Sequence, residues 1–133
     1  MKYLLDTNAC IRYLNGRAPQ IRVHLAAVAL SDVAVSTITA AELFYGSAKS
    51  QTLEISRRRQ LEFLVTVQSL PFDTSCALRY GTLRADLQGQ GTPIGHLDML
   101  IAAVALTHDL ILITHNMREF RRIPSLRIED WEI

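Results

Sequence analysis

Short apolar runs alternate with helix-periodic stretches along almost the whole chain, and this alternation confines it to the α/β class with a mostly parallel central sheet. Tyr3 to Leu5 reads as a buried strand closed by Asp6, and Val33 to Val35 as a second strand. Leu110 to Thr114 is a near-continuous apolar run, the pattern of a strand covered on both faces at the centre of a parallel sheet. Ser69 to Phe72 is a weaker strand that Pro71 confines to an edge, and Leu126 to Glu129 alternates like a final strand with one wet face. Helical patterns fill the intervals. Asn8 to Leu14 is stopped by Asn15-Gly16, and Pro19 suits the first turn of a helix with Ile21, Leu25 and Val28 on one face. Thr39 to about Ala48 is strongly apolar, and Leu53 to Val67 carries Arg57, Arg58 and Arg59. Asp73 or Thr74 can cap a helix whose Cys76, Tyr80, Leu83 and Leu87 fall at i, i+4, i+7 and i+11. Gly89 to Gly95 is a loop, and Leu97 to Thr107 is apolar nearly all round, as a buried helix is.

A chain of 133 residues with no repeat and no linker is expected to form one domain spanning 1–133. At that size roughly two-thirds of the unfolded surface is buried, so disulfides are not needed. Cys10 and Cys76 stand among apolar residues at helical spacing, which predicts buried free thiols and a reducing, cytoplasmic setting. Asp6 interrupts the apolar start too early for a signal peptide, and the run Met99 to Leu106 is too short to span a bilayer. The formal net charge of +1 gives no bulk signal for a nucleic-acid partner. Of the 14 cationic residues, however, all but Lys2 and Lys49 are Arg, whose planar fork fits phosphate; compositional bias is the other reading.

Three acids sit where acids are costly. Asp6 closes a buried strand, Glu42 lies inside the apolar stretch Ile38 to Tyr45, and Asp98 lies near the start of the most apolar helix. Each has a local explanation. Asp6 can cap the helix starting near Asn8, Thr39-x-x-Glu42 matches a capping box, and Asp98 suits a helix N-terminus. Topology favours convergence instead, because ligands of open α/β sheets bind outside the carboxyl ends of the strands. Asp6 and the Glu42 helix both follow such ends, as do Thr114, His115 and Asn116. Asp98 joins them only if its helix begins at the same rim. Two unit charges ~4 Å apart repel by about 4 kcal/mol at an effective dielectric near 20, so such a cluster takes up protons or a cation. Oxygen ligands without Cys or grouped His select Mg²⁺ or Mn²⁺. Such ions hold phosphates and acidify water, the chemistry of phosphodiester hydrolysis.

These residues resemble a known pattern. Asp6-Thr7-Asn8 after an N-terminal strand is similar to the opening of PIN-domain nucleases, and Ser36-Thr37 followed by Glu42-Leu43 and Gly46 is similar to their second acidic block. Pro93-Ile94-Gly95, Asp98 and Ile101-Ala102-Ala103 resemble the third. Leu112-Ile113-Thr114-His115-Asn116, Glu119-Phe120 and the closing Leu126-Arg127-Ile128-Glu129-Asp130-Trp131 resemble the tail of the VapC branch, the toxins of toxin–antitoxin pairs. The resemblance covers nearly the whole chain in the right order. It implies a three-layer α/β/α sandwich, a single PIN-like nuclease domain, and Mg²⁺- or Mn²⁺-dependent cleavage of structured RNA, often transfer RNA. Asp6, Glu42 and Asp98 match the family's metal-binding acids. Asn116 matches a fourth catalytic position that is an acid in many PIN domains; its single neutral carbonyl leaves one metal against two open. A cognate antitoxin and a homodimer are implied as well.

Around this set, Asn8 is expected to orient Asp6 or a water, and Thr7 and Thr114 to hydrogen-bond the acids or a phosphate. Arg118, Arg121 and Arg122 follow the rim and are placed to meet phosphates, whereas Arg57 to Arg59 read as a solvated face. His96 and His115 receive no catalytic role. Tyr13, Phe44 and Tyr45 are expected in the core. Gly89, Gly91 and Gly95 follow no strand and do not form a dinucleotide fingerprint. The competing readings are a PIN-like module that binds RNA or protein without cutting, which the full set of three acids disfavours, and an Asp-based phosphotransfer domain, which wants a Lys beside the acids and, in the dehalogenase type, an Asp where Asn8 stands.

Overall fold

The computed structural model describes residues 1–133. Five parallel strands form one sheet: β1 (Tyr3–Leu5), β2 (Val33–Ser36), β3 (Gln68–Leu70), β4 (Ile111–Ile113) and β5 (Ile128–Glu129), in the order β3-β2-β1-β4-β5. Helices α1 (Thr7–Leu14) and α2 (Pro19–Ala26) link β1 to β2, and α3 (Thr37–Ala48) and α4 (Leu53–Leu64) link β2 to β3. The chain then passes through α5 (Thr74–Gly89) and α6 (His96–Thr107) to the other side of β1, and α7 (Met117–Phe120) precedes β5.

The strands read as unbroken apolar runs because both faces of the sheet are covered. Leu4, Ala34 and Leu112 point into a core shared with Cys76, Leu83, Leu87, Met99, Ile101 and Phe120. Their neighbours Leu5, Val35 and Ile113 point the other way, onto Cys10, Ile21, Leu43 and Phe63. The result is a three-layer α/β/α sandwich. Helix α6 is wedged so tightly that Ile101 through Ala105 have no exposed surface, which accounts for its lack of a polar face.

Several boundaries differ from the sequence reading, each for a local reason. Helix α1 begins at Thr7 because the Asp6 carboxylate accepts the Ala9 N–H at 2.8 Å. Helix α3 begins at Thr37 because Ser36 is its cap, accepting the Thr39 N–H at 3.2 Å; Thr39 is therefore not a cap, and the capping box with Glu42 does not form. β1, not β4, is the central strand, although β4 is paired on both sides as its apolarity requires. β3 is an edge, as expected, but runs from Gln68 to Leu70, so Pro71 lies just beyond the strand rather than within it. Helix α5 is capped by Asp73 and runs through Gly89, α6 starts at His96, and the single-turn α7 has too few residues to show a period. Tyr45 is 67% exposed rather than buried, while Tyr13 and Phe44 are half-buried. Arg57 is not simply solvated: its guanidinium donates to Ser47 Oγ and the Phe44 carbonyl at 3.1 and 3.0 Å, tying α4 to α3.

Leu112 is fully buried in β4 between two strands and under α6. Leu112→Ala is expected to lower the unfolding free energy by roughly 2–5 kcal/mol, seen as a lower urea midpoint with an unchanged slope.

Candidate active site

The strand register sets the site. Leu5 pairs with Val35 on one side and with Ile113 on the other, so β1 and β4 end level and β2 runs one residue further, to Ser36. At the next level Asp6, Ser36 and Thr114 form a row along the carboxyl edge of the sheet. The chain reverses direction between β1 and β4, which makes this the topological switch point of the fold. The Asp6 N–H extends the ladder to the Ile113 carbonyl at 3.0 Å before its side chain turns to α1.

Asp6 is 4% exposed. Burial raises its carboxyl above the usual carboxylate range, the Thr114 hydroxyl and the Ala9 N–H pull it partly back, and the Glu132 and Glu42 carboxylates add to the rise. Asp6 is thus both a helix cap and a member of the acidic group.

Glu42 arrives from α3, nearly two turns beyond the cap. Its Oε1 accepts the Thr7 hydroxyl at 2.6 Å. With the Thr7 proton committed to Glu42, Thr39 donates to Thr7 at 3.1 Å and Ser36 stands 3.4 Å behind Thr39. This hydroxyl chain is buried from Ser36 to Thr7 and fixes the Glu42 carboxylate. Thr7 therefore orients an acid, and Thr39 and Ser36 join it, a role the sequence reading missed because it assigned Thr39 to a cap.

Asp98 lies in the first turn of α6, which does begin at this rim. Its carboxyl is pushed up to about 6, first by burial, then by the Glu119 and Asp6 carboxylates, and less by Glu42. The Glu119 carboxyl faces it from α7 and accepts the Asn116 side-chain amide at 3.1 Å. Glu119 is the acid that sequence reasoning left without a role; Asn116 belongs to the site through it. Thr114 is buried and accepts the Asn116 N–H at 2.9 Å, so it positions both Asp6 and the start of the next loop.

Asp6, Thr7, Asn8, Glu42 and Asp98 line one cavity of about 610 Å³, and Lys49 is the single cation on its wall. Arg118 and Arg121 are exposed near α7 and engage no acid. Arg122 does not face this rim freely, because its Nη1 donates to the Pro93 carbonyl at 2.8 Å and steadies the loop before α6. His115 Nδ1 is bonded to Asp130 at 2.8 Å, and His96 is exposed. Cys10 and Cys76 are free and buried. No helix is long and apolar enough to cross a membrane.

A family model described as the PIN domain matches residues 3–126. The Salmonella typhimurium protein named tRNA(fMet)-specific endonuclease VapC is 39% identical over 131 residues, covering 98% of each chain. A solved structure of DNA-bound VapBC from Salmonella typhimurium superposes with a TM-score of 0.94 at 39% identity over 98% of each chain. A toxin–antitoxin complex from Klebsiella pneumoniae superposes with a TM-score of 0.77 at 28% identity, covering 99% of this chain and 100% of that one.

The repulsion among these carboxylates has a measurable sign. An unfolded Asp titrates near 3.9, while folded Asp98 titrates at about 6. The folded state holds a proton that the unfolded state has lost, so stability falls as pH rises from about 4 through about 6. Asp98→Asn removes that dependence. In EDTA its melting temperature should equal or exceed that of the wild type at pH 8, and the difference should close at pH 4. A marked fall at pH 8 would make the carboxylate a structural cap instead.

Proposed function

The chain belongs to the PIN-domain family, in its VapC branch, and from that premise we propose that it is a Mg²⁺- or Mn²⁺-dependent endoribonuclease acting as the toxin of a toxin–antitoxin pair. The observation that carries the reading is the acidic cavity itself. Asp6, Glu42, Asp98 and Glu119 gather at the switch point, with Lys49 the only cation on the cavity wall to offset them. The donors are hard carboxylate oxygens, and the nearby thiol of Cys10 is buried and held protonated by burial and the Asp6 charge. The chemistry of these donors suits a hard divalent cation and not a soft one, although the group whose ligand atoms already lie within 4.8 Å of one another is His115, Asp130 and Glu132 beside it. Asp6, Glu42 and Asp98 would hold the ion. When bound, it supplies charge stabilisation to the reacting phosphodiester and acidity to water.

The chain's own residues prepare that chemistry. The Ala9 N–H and Thr114 hold the Asp6 carboxylate, and the Thr7–Thr39–Ser36 chain holds Glu42, so the acids keep their geometry before substrate arrives. Glu119 presses on Asp98 from behind and is itself steadied by Asn116. Asn8 stands exposed on the cavity wall, where its amide can meet a phosphate oxygen or a water. Hydrolysis adds water across one P–O ester bond of the strand, leaving a phosphate on one product and a hydroxyl on the other.

Structured RNA, and transfer RNA in particular, is the proposed substrate; the name of the Salmonella typhimurium relative supports it. A cognate antitoxin is proposed to occlude the site, and two copies of the chain to form a homodimer. The toxin–antitoxin neighbour and the exposed apolar side chains Leu53, Ile55, Leu61 and Val65 on and just beyond α4 support covered surfaces. The two free thiols support a cytoplasmic setting.

Expressed beside Asp98→Asn and tested on purified transfer RNA, the wild type is expected to give discrete cuts that need Mn²⁺ and vanish in EDTA. The variant should be slower by roughly a hundredfold or more. Cutting that persists in EDTA, or in the variant at a near-normal rate, would overturn the proposal. Because metal ligands must be deprotonated, Mn²⁺-induced thermal stabilisation of the wild type should also weaken as pH falls through about 6, where Asp98 takes up its proton.

A further inference from the structure

Helix α1 has polar cavities on two sides. Asp6, Asn8 and Ile11 line the acidic cavity and also a second one, of about 450 Å³, within the roughly 300–1,000 Å³ of small-ligand sites. The two differ in charge balance. To the shared Asp6 the first adds Glu42 and Asp98 against Lys49 alone; the second adds Arg12 and Arg17 against Glu132, beside Asn15, His115 and Asn116. Ile11 is the single hydrophobic residue lining it.

The charges there are unequally committed. The Arg12 guanidinium is hydrogen-bonded to Glu132 Oε1, whose other oxygen is buried without a partner, and His115 is hydrogen-bonded to Asp130. Arg17 is different. The turn at Asn15 and Gly16, with Gly16 at φ 73°, brings the chain back against the end of α1. There the Arg17 N–H donates to the Arg12 carbonyl at 3.0 Å and to Asn15 Oδ1 at 3.1 Å. The backbone of Arg17 is fixed, while its exposed guanidinium has no carboxylate partner. The Asn15 amide nitrogen also remains free to donate.

A polynucleotide whose cleaved phosphodiester lies at the acids must continue past Asp6 and Asn8 with its next phosphate on one flank or the other. On one flank it meets the Glu42 and Asp98 carboxylates, offset only by Lys49. On the other it meets a free guanidinium, whose fork fits phosphate oxygens, beside side-chain amides. We propose that the second cavity is the subsite for the nucleotide flanking the cleaved bond, with Arg17 holding that nucleotide's phosphate; this rests on the ribonuclease reading above.

The test uses the full chain carrying Asp98→Asn, expected to cut at least about a hundredfold more slowly, and a labelled single-stranded oligoribonucleotide spanning a mapped cut. Arg17→Gln in that background should weaken binding several-fold and make the slope of log affinity against log salt shallower by about 0.7, the value for one phosphate contact on a single strand. Replacing one flanking phosphate by a neutral methylphosphonate should cause the same loss, and Arg17→Gln should add nothing to it. An unchanged salt slope, or losses that add in full at both flanking positions, would overturn the subsite. Arg17 is exposed, and an unchanged melting temperature checks that the variant folds. If the chain with Asp98 intact cuts no RNA, the ribonuclease reading itself falls; if it cuts and the slope is unchanged, only the subsite does.

Discussion

Three parallel strands in level register bring three positions into one row at the carboxyl edge of the sheet, where the ladder gives way to helices and loops. In this protein those positions hold Asp6, Ser36 and Thr114. Each is polar, each is buried, and each answers a backbone N–H of the segment that follows: Ala9, Thr39 and Asn116. The same edge therefore starts two helices and a loop, and it directs α1, α3 and the segment leading to α7 toward one hollow. A slip of one residue in the β1–β4 pairing would exchange the faces of Leu112 and Ile113 and carry Thr114 away from Asp6. Packing of the apolar strand faces thus enforces the geometry of the acids, although none of the acids contributes to that packing.

The acids themselves oppose folding. Burial raises Asp6 and Asp98, and neighbouring carboxylates raise them further. Against this stands a set of neutral donors: a helix N–H, a threonine hydroxyl chain and an asparagine amide. Neutral donors hold carboxylates in place without cancelling their charge, whereas arginine or lysine at the same positions would neutralise them. Apart from Lys49 on its wall, the cations lie outside the hollow, with Arg12 bound to Glu132, Arg57 to the end of α3 and Arg122 to the loop before α6. The electrostatic cost is retained rather than relieved, as perturbed acids at functional sites commonly show.

The layered fold is legible in the sequence because unbroken apolar runs and helical stripes have distinct periods. Asp6, Glu42 and Asp98 are legible for a related reason: an acid in an apolar context is conspicuous without knowledge of its partners. Glu119 is not, since it lies in a four-residue helix among Met117, Arg118 and Phe120, where an exposed acid is ordinary. The hydroxyl chain is hidden because Thr7 and Thr39 are 32 residues apart and meet only through the β1–β2 pairing. The capping box at Thr39 and Glu42 is a true sequence match that loses to Ser36, because the helix starts directly where β2 ends. Tyr45, flanked by core residues in sequence, points outward because α3 turns that face to solvent. The central place of β1 follows from crossover direction, which local pattern does not encode.

Asp6 has two attachments, one to the first turn of α1 and one to the hollow. Its carboxylate accepts the Ala9 amide proton while facing Asp98 and Glu42. Whatever draws that carboxylate inward also draws on the bond to Ala9, so occupancy of the hollow and fraying of α1 share one equilibrium. Amide hydrogen exchange at the buried Ala9 and Cys10 consequently reads the occupancy of the site from within the helix.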